Sequence, residues 1–146
     1  MSETILKVTN LKKYFGRVRA VDDISLEIKR GETFGLVGES GSGKSTVGKT
    51  ILCLHPKTGG DVFFRGRDIF QLSKKELRQV RPKMQMIFQG TGSSLNPRMT
   101  TEKIVGEALL DHKLCAKSQL RERVAAIMER CGLSATHLDR YPHECS

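Results

Sequence analysis

Apolar and polar residues alternate along Ile5–Thr9 and again along Ile24–Lys29, the period-two pattern of strands with one buried face. Arg30-Gly31-Glu32 reads as a turn, and Thr33–Val37, with Phe34, Leu36 and Val37, predicts a buried strand. Ser45–Leu54 has helical length with Val47, Ile51 and Leu54 at helical spacing, and Pro56–Gly60 ends it. Val62-Phe63-Phe64 predicts a short strand closed by an Arg65-Gly66-Arg67 turn. Ser73 and Glu76 stand at capping-box spacing, so a basic helix is expected to Arg81, stopped by Pro82. Met84–Phe88 predicts another buried strand.

The pattern changes after Gln89. Gly90–Arg98 is loop-like, and Glu102–Leu110 and Ser118–Cys131 predict helices. Leu120, Val124, Ile127, Met128 and Cys131 form one apolar stripe of the second, which reads as core packing, with Gly132 as its stop. The expected organisation is α/β, with a strand-rich part over 1–89 and a helical part over 90–146.

Composition adds bounds. The chain has 146 residues, 38% hydrophobic, 28% charged and 5% aromatic, with a formal charge of +9. That apolar content supports a core and argues against global disorder. No stretch approaches the roughly 20 apolar residues of a spanning helix. Met1–Thr9 lacks the features of a signal peptide. A cytosolic setting is expected. The positive excess concentrates between Arg65 and Lys83, where seven Lys/Arg face only Asp68 and Glu76. Few aromatics interleave there, so the stretch reads as solvated surface rather than a stacking platform for single strands. Cys53, Cys115, Cys131 and Cys145 include no C-x-x-C pair, and neither a disulfide framework nor a zinc site is expected.

Gly38-Glu39-Ser40-Gly41-Ser42-Gly43-Lys44-Ser45 matches G-x-x-x-x-G-K-[ST] at every fixed position. Glycines allow backbone conformations closed to other residues and close approach to a polyphosphate. Successive N–H groups from Gly41 to Thr46, at the positive end of the helix that begins there, suit anionic oxygens. Lys44 supplies charge for the β/γ-phosphates, and Ser45 offers a hydroxyl to Mg²⁺. A nucleotide with Mg²⁺ is therefore expected, and the motif alone does not choose among kinases, GTPases and transport ATPases.

The flanking residues narrow the choice. Val8-Thr9-Asn10-Leu11-Lys12-Lys13-Tyr14-Phe15-Gly16, Ala20–Ile28 and Gly31–Gly38 together resemble the opening of ABC-transporter ATP-binding subunits. Met86-Ile87-Phe88-Gln89 resembles the strand and glutamine of their Q-loop. Ser93–Thr100 is similar to the branch that energises oligopeptide and dipeptide import, and Tyr141–Ser146 resembles the approach to the family signature. The resemblance implies a P-loop NTPase of ABC type, with an antiparallel β subdomain and a helical subdomain. It places Phe15, or alternatively Tyr14, against adenine. Gly38, Ser40, Gly41, Gly43, Lys44, Ser45 and Thr46 would cradle the phosphates, with Ser45 and Gln89 at Mg²⁺. Gln89 would also reach the attacking water, and Ser146 would begin the signature. The implied partners are membrane-spanning permease subunits and a second ATP-binding subunit, at the cytoplasmic face of the inner membrane.

Three departures from the family pattern stand out. Gly90-Thr91-Gly92 replaces a D-P-aromatic sequence, the Phe15–Ala20 link is short, and the sequence stops at Ser146. No Walker B aspartate, catalytic glutamate or switch histidine follows within it. The expectation is a truncated copy, with weak ATP binding, no efficient hydrolysis and exposed apolar faces. Competing readings are a nucleic-acid-associated ABC ATPase, against which Ser93–Thr100 argues, a non-catalytic module paired with an intact relative, and a small P-loop kinase.

Overall fold

The computed structural model describes residues 3–90 and 95–145. The expectations on Thr91-Gly92, on Ser93-Ser94 and on Ser146 lie outside them. The chain divides into two compact units, Met1–Met86 and Ile87–Ser146.

The first unit is built on a hairpin of β1 (Thr4–Phe15) and β2 (Val18–Lys29). Both strands run past the segments whose alternation is visible in the sequence. The reason is a register irregularity between the Val8↔Leu26 and Leu11↔Ile24 pairs. There Asn10 and Asp23 take positive φ of 48° and 60°. The Asn10 side-chain amide donates to Asp23 Oδ1 at 2.7 Å, and its backbone N–H donates to Ser25 Oγ at 2.8 Å. A bulge shifts which residues face inward, so a strict period-two reading stops where the bulge begins.

β3 (Gly59–Phe64) and β4 (Arg67–Asp68) complete a four-stranded antiparallel sheet in the order β2-β1-β3-β4. Phe64 pairs with Arg67 across the two-residue loop Arg65-Gly66, both at positive φ, the turn whose twist suits a hairpin. One face carries the core: Val8, Leu11, Val21, Val62 and Phe64, with Val47 and Ile69 packed against them. Val47 belongs to α1 (Lys44–Ile51), which starts one residue before the expected helix and ends three residues short of Leu54. Thr50 is buried on the same helix, its hydroxyl donating to the Thr46 carbonyl at 2.7 Å.

α2 (Lys74–Val80) begins with the predicted capping box. Ser73 Oγ accepts from the Glu76 N–H, and the Glu76 carboxylate accepts from the Ser73 N–H. The Ser73 hydroxyl also donates to that carboxylate at 2.7 Å, and this bond, with that from the Ser73 N–H, holds the Glu76 carboxyl below the usual range. A 3₁₀ turn at Arg81–Lys83 follows.

Two expected strands are not strands. Thr33–Val37 and Met84–Phe88 form no ladder among the described residues, and Val37 and Ile87 are 94% and 91% exposed. An apolar run records a capacity for burial. A strand also needs a neighbour to take its N–H and C=O groups, and neither segment is paired here.

In the second unit, α3 (Thr101–Asp111) packs on α4 (Leu120–Arg130). Contact is close where the buried Gly106 faces Leu120, and Val124, Met128 and Leu138 form the core. Gly132, at φ 78°, ends α4, and the Leu133 N–H donates back to Met128 O at 2.9 Å. The start of α3 draws its acceptors from a distant segment. The Thr101 N–H donates to Arg140 O at 2.8 Å, and the Glu102 N–H to Leu138 O at 2.9 Å. Arg121 ties the same corner, donating to both Asp139 oxygens at 2.8 and 2.6 Å and to Glu102 at 2.5 Å.

Candidate nucleotide site

The loop Gly38–Gly43 enters α1 through Gly43, whose φ of 95° belongs to the left-handed region. A Cβ there would stand 2.1 Å from the Ala20 carbonyl oxygen of β2, so only glycine fits. Gly41 takes φ 81° in open space, and a Cβ on Gly38 would crowd Ser42 Oγ at 2.9 Å. The first N–H groups of any helix lack intrahelical acceptors, which here concerns Lys44, Ser45 and Thr46. No side chain caps them, and no acidic residue occupies the first turn. This end of α1 suits an anion.

Lys44 Nζ donates to the carbonyls of Gly38 at 2.7 Å and Glu39 at 2.5 Å, and lies 3.2 Å from Ser42 Oγ. The loop's own oxygens hold the ammonium beside the glycines, without a carboxylate competitor. Ser40, Gly41, Ser42 and Ser45 are exposed, while Gly43, Lys44 and Thr46 are half-buried. The donor set fits a polyphosphate. The exposed Ser45 hydroxyl is a hard oxygen ligand of the type Mg²⁺ takes.

Phe15 closes the same hairpin, paired with Val18 two residues before Ala20, so about 7 Å of strand separates that turn from the Gly43 contact. Its ring is 45% exposed, stands perpendicular to His55 at 5.5 Å, and carries Lys13 Nζ 4.5 Å from its centroid. Tyr14 is committed elsewhere. Its hydroxyl donates to Asp22 Oδ1 at 2.5 Å, and its ring lies beneath the Arg19 guanidinium. That hydrogen bond pushes the Tyr14 pKa up and the Asp22 pKa down. Of the two aromatic rings open as alternatives, both lie beside a cation and only Tyr14 is also tied by a hydrogen bond.

The description "ABC transporter" matches residues 21–146. The chain belongs to the ABC transporter family. Among its relatives, the oligopeptide transport ATP-binding protein OppF of Bacillus subtilis is 47% identical over 152 residues, covering 100% of this chain and 50% of that protein. The dipeptide transport ATP-binding protein DppF of Lactococcus lactis is 44% identical over 150 residues, covering 97% of this chain and 48% of that one. The chain thus spans about half the length of these curated relatives. Among solved structures, a dimeric post-hydrolysis state of the ATP-binding cassette MJ0796 bound to ADP and Pi superposes with a TM-score of 0.81. It is 27% identical, with 97% of this chain and 63% of that one covered. The fold is the α/β fold of ABC ATPase cassettes.

Within this ABC fold, Gly38, Ser40, Gly41, Gly43, Lys44, Ser45, Thr46 and Phe15 all fall in the first unit. Gln89 falls in the second, exposed in irregular backbone. Sequence reasoning missed His55 and the burial of Lys13. His55 follows α1 and reaches Phe15 only through tertiary structure. For Lys13 a signal existed: it continues the inward series of Leu11 at strand spacing.

Proposed function

We propose that the chain binds ATP with Mg²⁺ at Gly38–Thr46, as the nucleotide-binding part of a subunit that energises oligopeptide or dipeptide import. The observation that carries this reading is the Gly43–Ala20 packing, which seats the glycine loop and helix start on the hairpin that ends at Phe15. Backbone N–H groups and Lys44 take the phosphates, and Phe15 takes the base. Mg²⁺ would supply charge neutralisation at the phosphates, with the Ser45 hydroxyl as a ligand from the first unit. The names of the relatives support peptide import, in which an ATP-binding subunit works with membrane permease components and a second ATP-binding subunit at the cytoplasmic face. No described helix is long and apolar enough to cross a membrane.

Titration with labelled Mg-ATP tests the binding. Saturable binding should disappear when Lys44→Ala and Gly43→Asp are combined, and binding that survives the pair overturns the proposal.

A further inference from the structure

Lys13 is 8% exposed, a degree of burial lysine rarely reaches without a charged partner. Among the described residues its ammonium has no ion pair or hydrogen bond, yet it is not sealed from solvent. Its recorded partner is the Phe15 ring, 4.5 Å from Nζ to centroid. Lys13 and Phe15 are two residues apart on β1 and so share a face, the face on which Leu11 is fully buried. The side chain is thus buried along its length, and its charge ends on an aromatic that is 45% exposed.

A phenyl ring at a strand end turns freely about two bonds unless something holds it, and that freedom is lost when a base stacks on it. An ammonium over the ring is attracted by its quadrupole and restricts the orientation in advance. It also makes one side of the ring unavailable to ligand. We propose that Lys13 is a positioning residue for the nucleobase: it orients Phe15 so that the base stacks on the exposed part of the ring. This inference rests on the nucleotide-binding reading above and adds a residue to it.

Lys13 acts through Phe15, so its effect belongs to the base and not to the phosphates. The experiment compares Mg-ATP with inorganic tripolyphosphate, which has no base, by calorimetric titration. Lys13→Met, which keeps an apolar stem without charge, should weaken ATP binding about threefold to tenfold and leave tripolyphosphate binding unchanged. Lys13→Arg, which keeps a cation on the ring, should stay within about twofold of the unaltered protein. In a Phe15→Leu background, Lys13→Met should have no further effect. The inference is overturned if Lys13→Met leaves ATP binding intact, if it weakens tripolyphosphate equally, or if its effect persists without Phe15. Failure of the unaltered protein to bind either ligand overturns the nucleotide-binding reading itself.

Discussion

Gly43 stands so close to β2 that a single added carbon would come within 2.1 Å of the Ala20 carbonyl oxygen. The contact joins the entry of α1 to a strand that continues back to the turn beside Phe15. Fold and candidate site therefore share one atom-scale constraint.

Gly43→Ala combines that clash with an unfavourable φ of 95°. Destabilisation of at least about 2 kcal/mol is expected, together with loss of ATP binding. Gly41→Ala, at φ 81° but in open space, should cost only about 1 kcal/mol. Thermal melts of the two variants side by side separate the steric from the conformational contribution.

Tyr14 and Phe15 are adjacent in sequence and differ in attachment. Because the Tyr14 hydroxyl is spent on Asp22, Tyr14→Phe should lower stability modestly and leave ATP affinity within about twofold. Phe15→Leu should leave stability nearly unchanged and weaken ATP about fivefold or more, the loss of one stacked aromatic. Fluorescent-nucleotide titration of these variants beside Tyr14→Leu, which removes the ring, decides the point, and a larger loss for Tyr14→Leu than for Phe15→Leu would assign the base to Tyr14.

Acid should loosen the corner held by Arg121. Its guanidinium, by hydrogen bonding, keeps the Asp139 carboxyl below the usual range. A carboxylate depressed in the folded state stabilises fully above its unfolded value of about 3.9 and loses that contribution as pH falls through the folded value. Asp139→Asn should melt below the unaltered protein at neutral pH, with the gap narrowing once the pH drops below about 4. A gap independent of pH would show that Asp139 contributes shape rather than charge.

Gly106 separates two sizes of intrusion. A Cβ there would meet Leu120 Cδ1 at 2.9 Å and its Cδ2 and Cγ at 3.1 Å, so the end of that side chain must shift. Gly106→Ala should be close to neutral, since a gain of about 1 kcal/mol in helix propensity offsets the adjustment. Gly106→Val overfills the α3–α4 contact and should cost about 1–3 kcal/mol. Chemical denaturation midpoints measure both.

What the sequence made legible followed from how local each signal was. The capping box of α2 needs only Ser73 and Glu76, and it forms as the spacing predicts. The Arg65-Gly66 turn and the glycine loop are local in the same sense. Thr33–Val37 and Met84–Phe88 carry the same kind of apolar signal, but strand formation depends on a neighbour that the run itself does not specify. The bulge at Asn10 and Asp23 hid half of each hairpin strand because it changes the facing rule midway. At the candidate site, motif spacing was enough to choose Gly43 and Lys44. The family resemblance pointed to Phe15 ahead of Tyr14; the structure adds that Tyr14 is tied to Asp22 across the hairpin, and the contacts of His55 and Lys13 with Phe15 are visible only in the packed sheet.

The start of α3 has one further consequence. Arg140 O accepts from both the N–H and the hydroxyl of Thr101, and Leu138 O accepts from Glu102. Two peptide donors at the helix start and the residues leading to Tyr141 are thus fastened by the same few bonds. Those bonds cannot slip by fractions, because each carbonyl is either seated on its amide or released to water. The helical unit accordingly has a detent at this corner: amide exchange at Thr101 and Glu102 should rise together, in one step, when the 138–140 segment lifts.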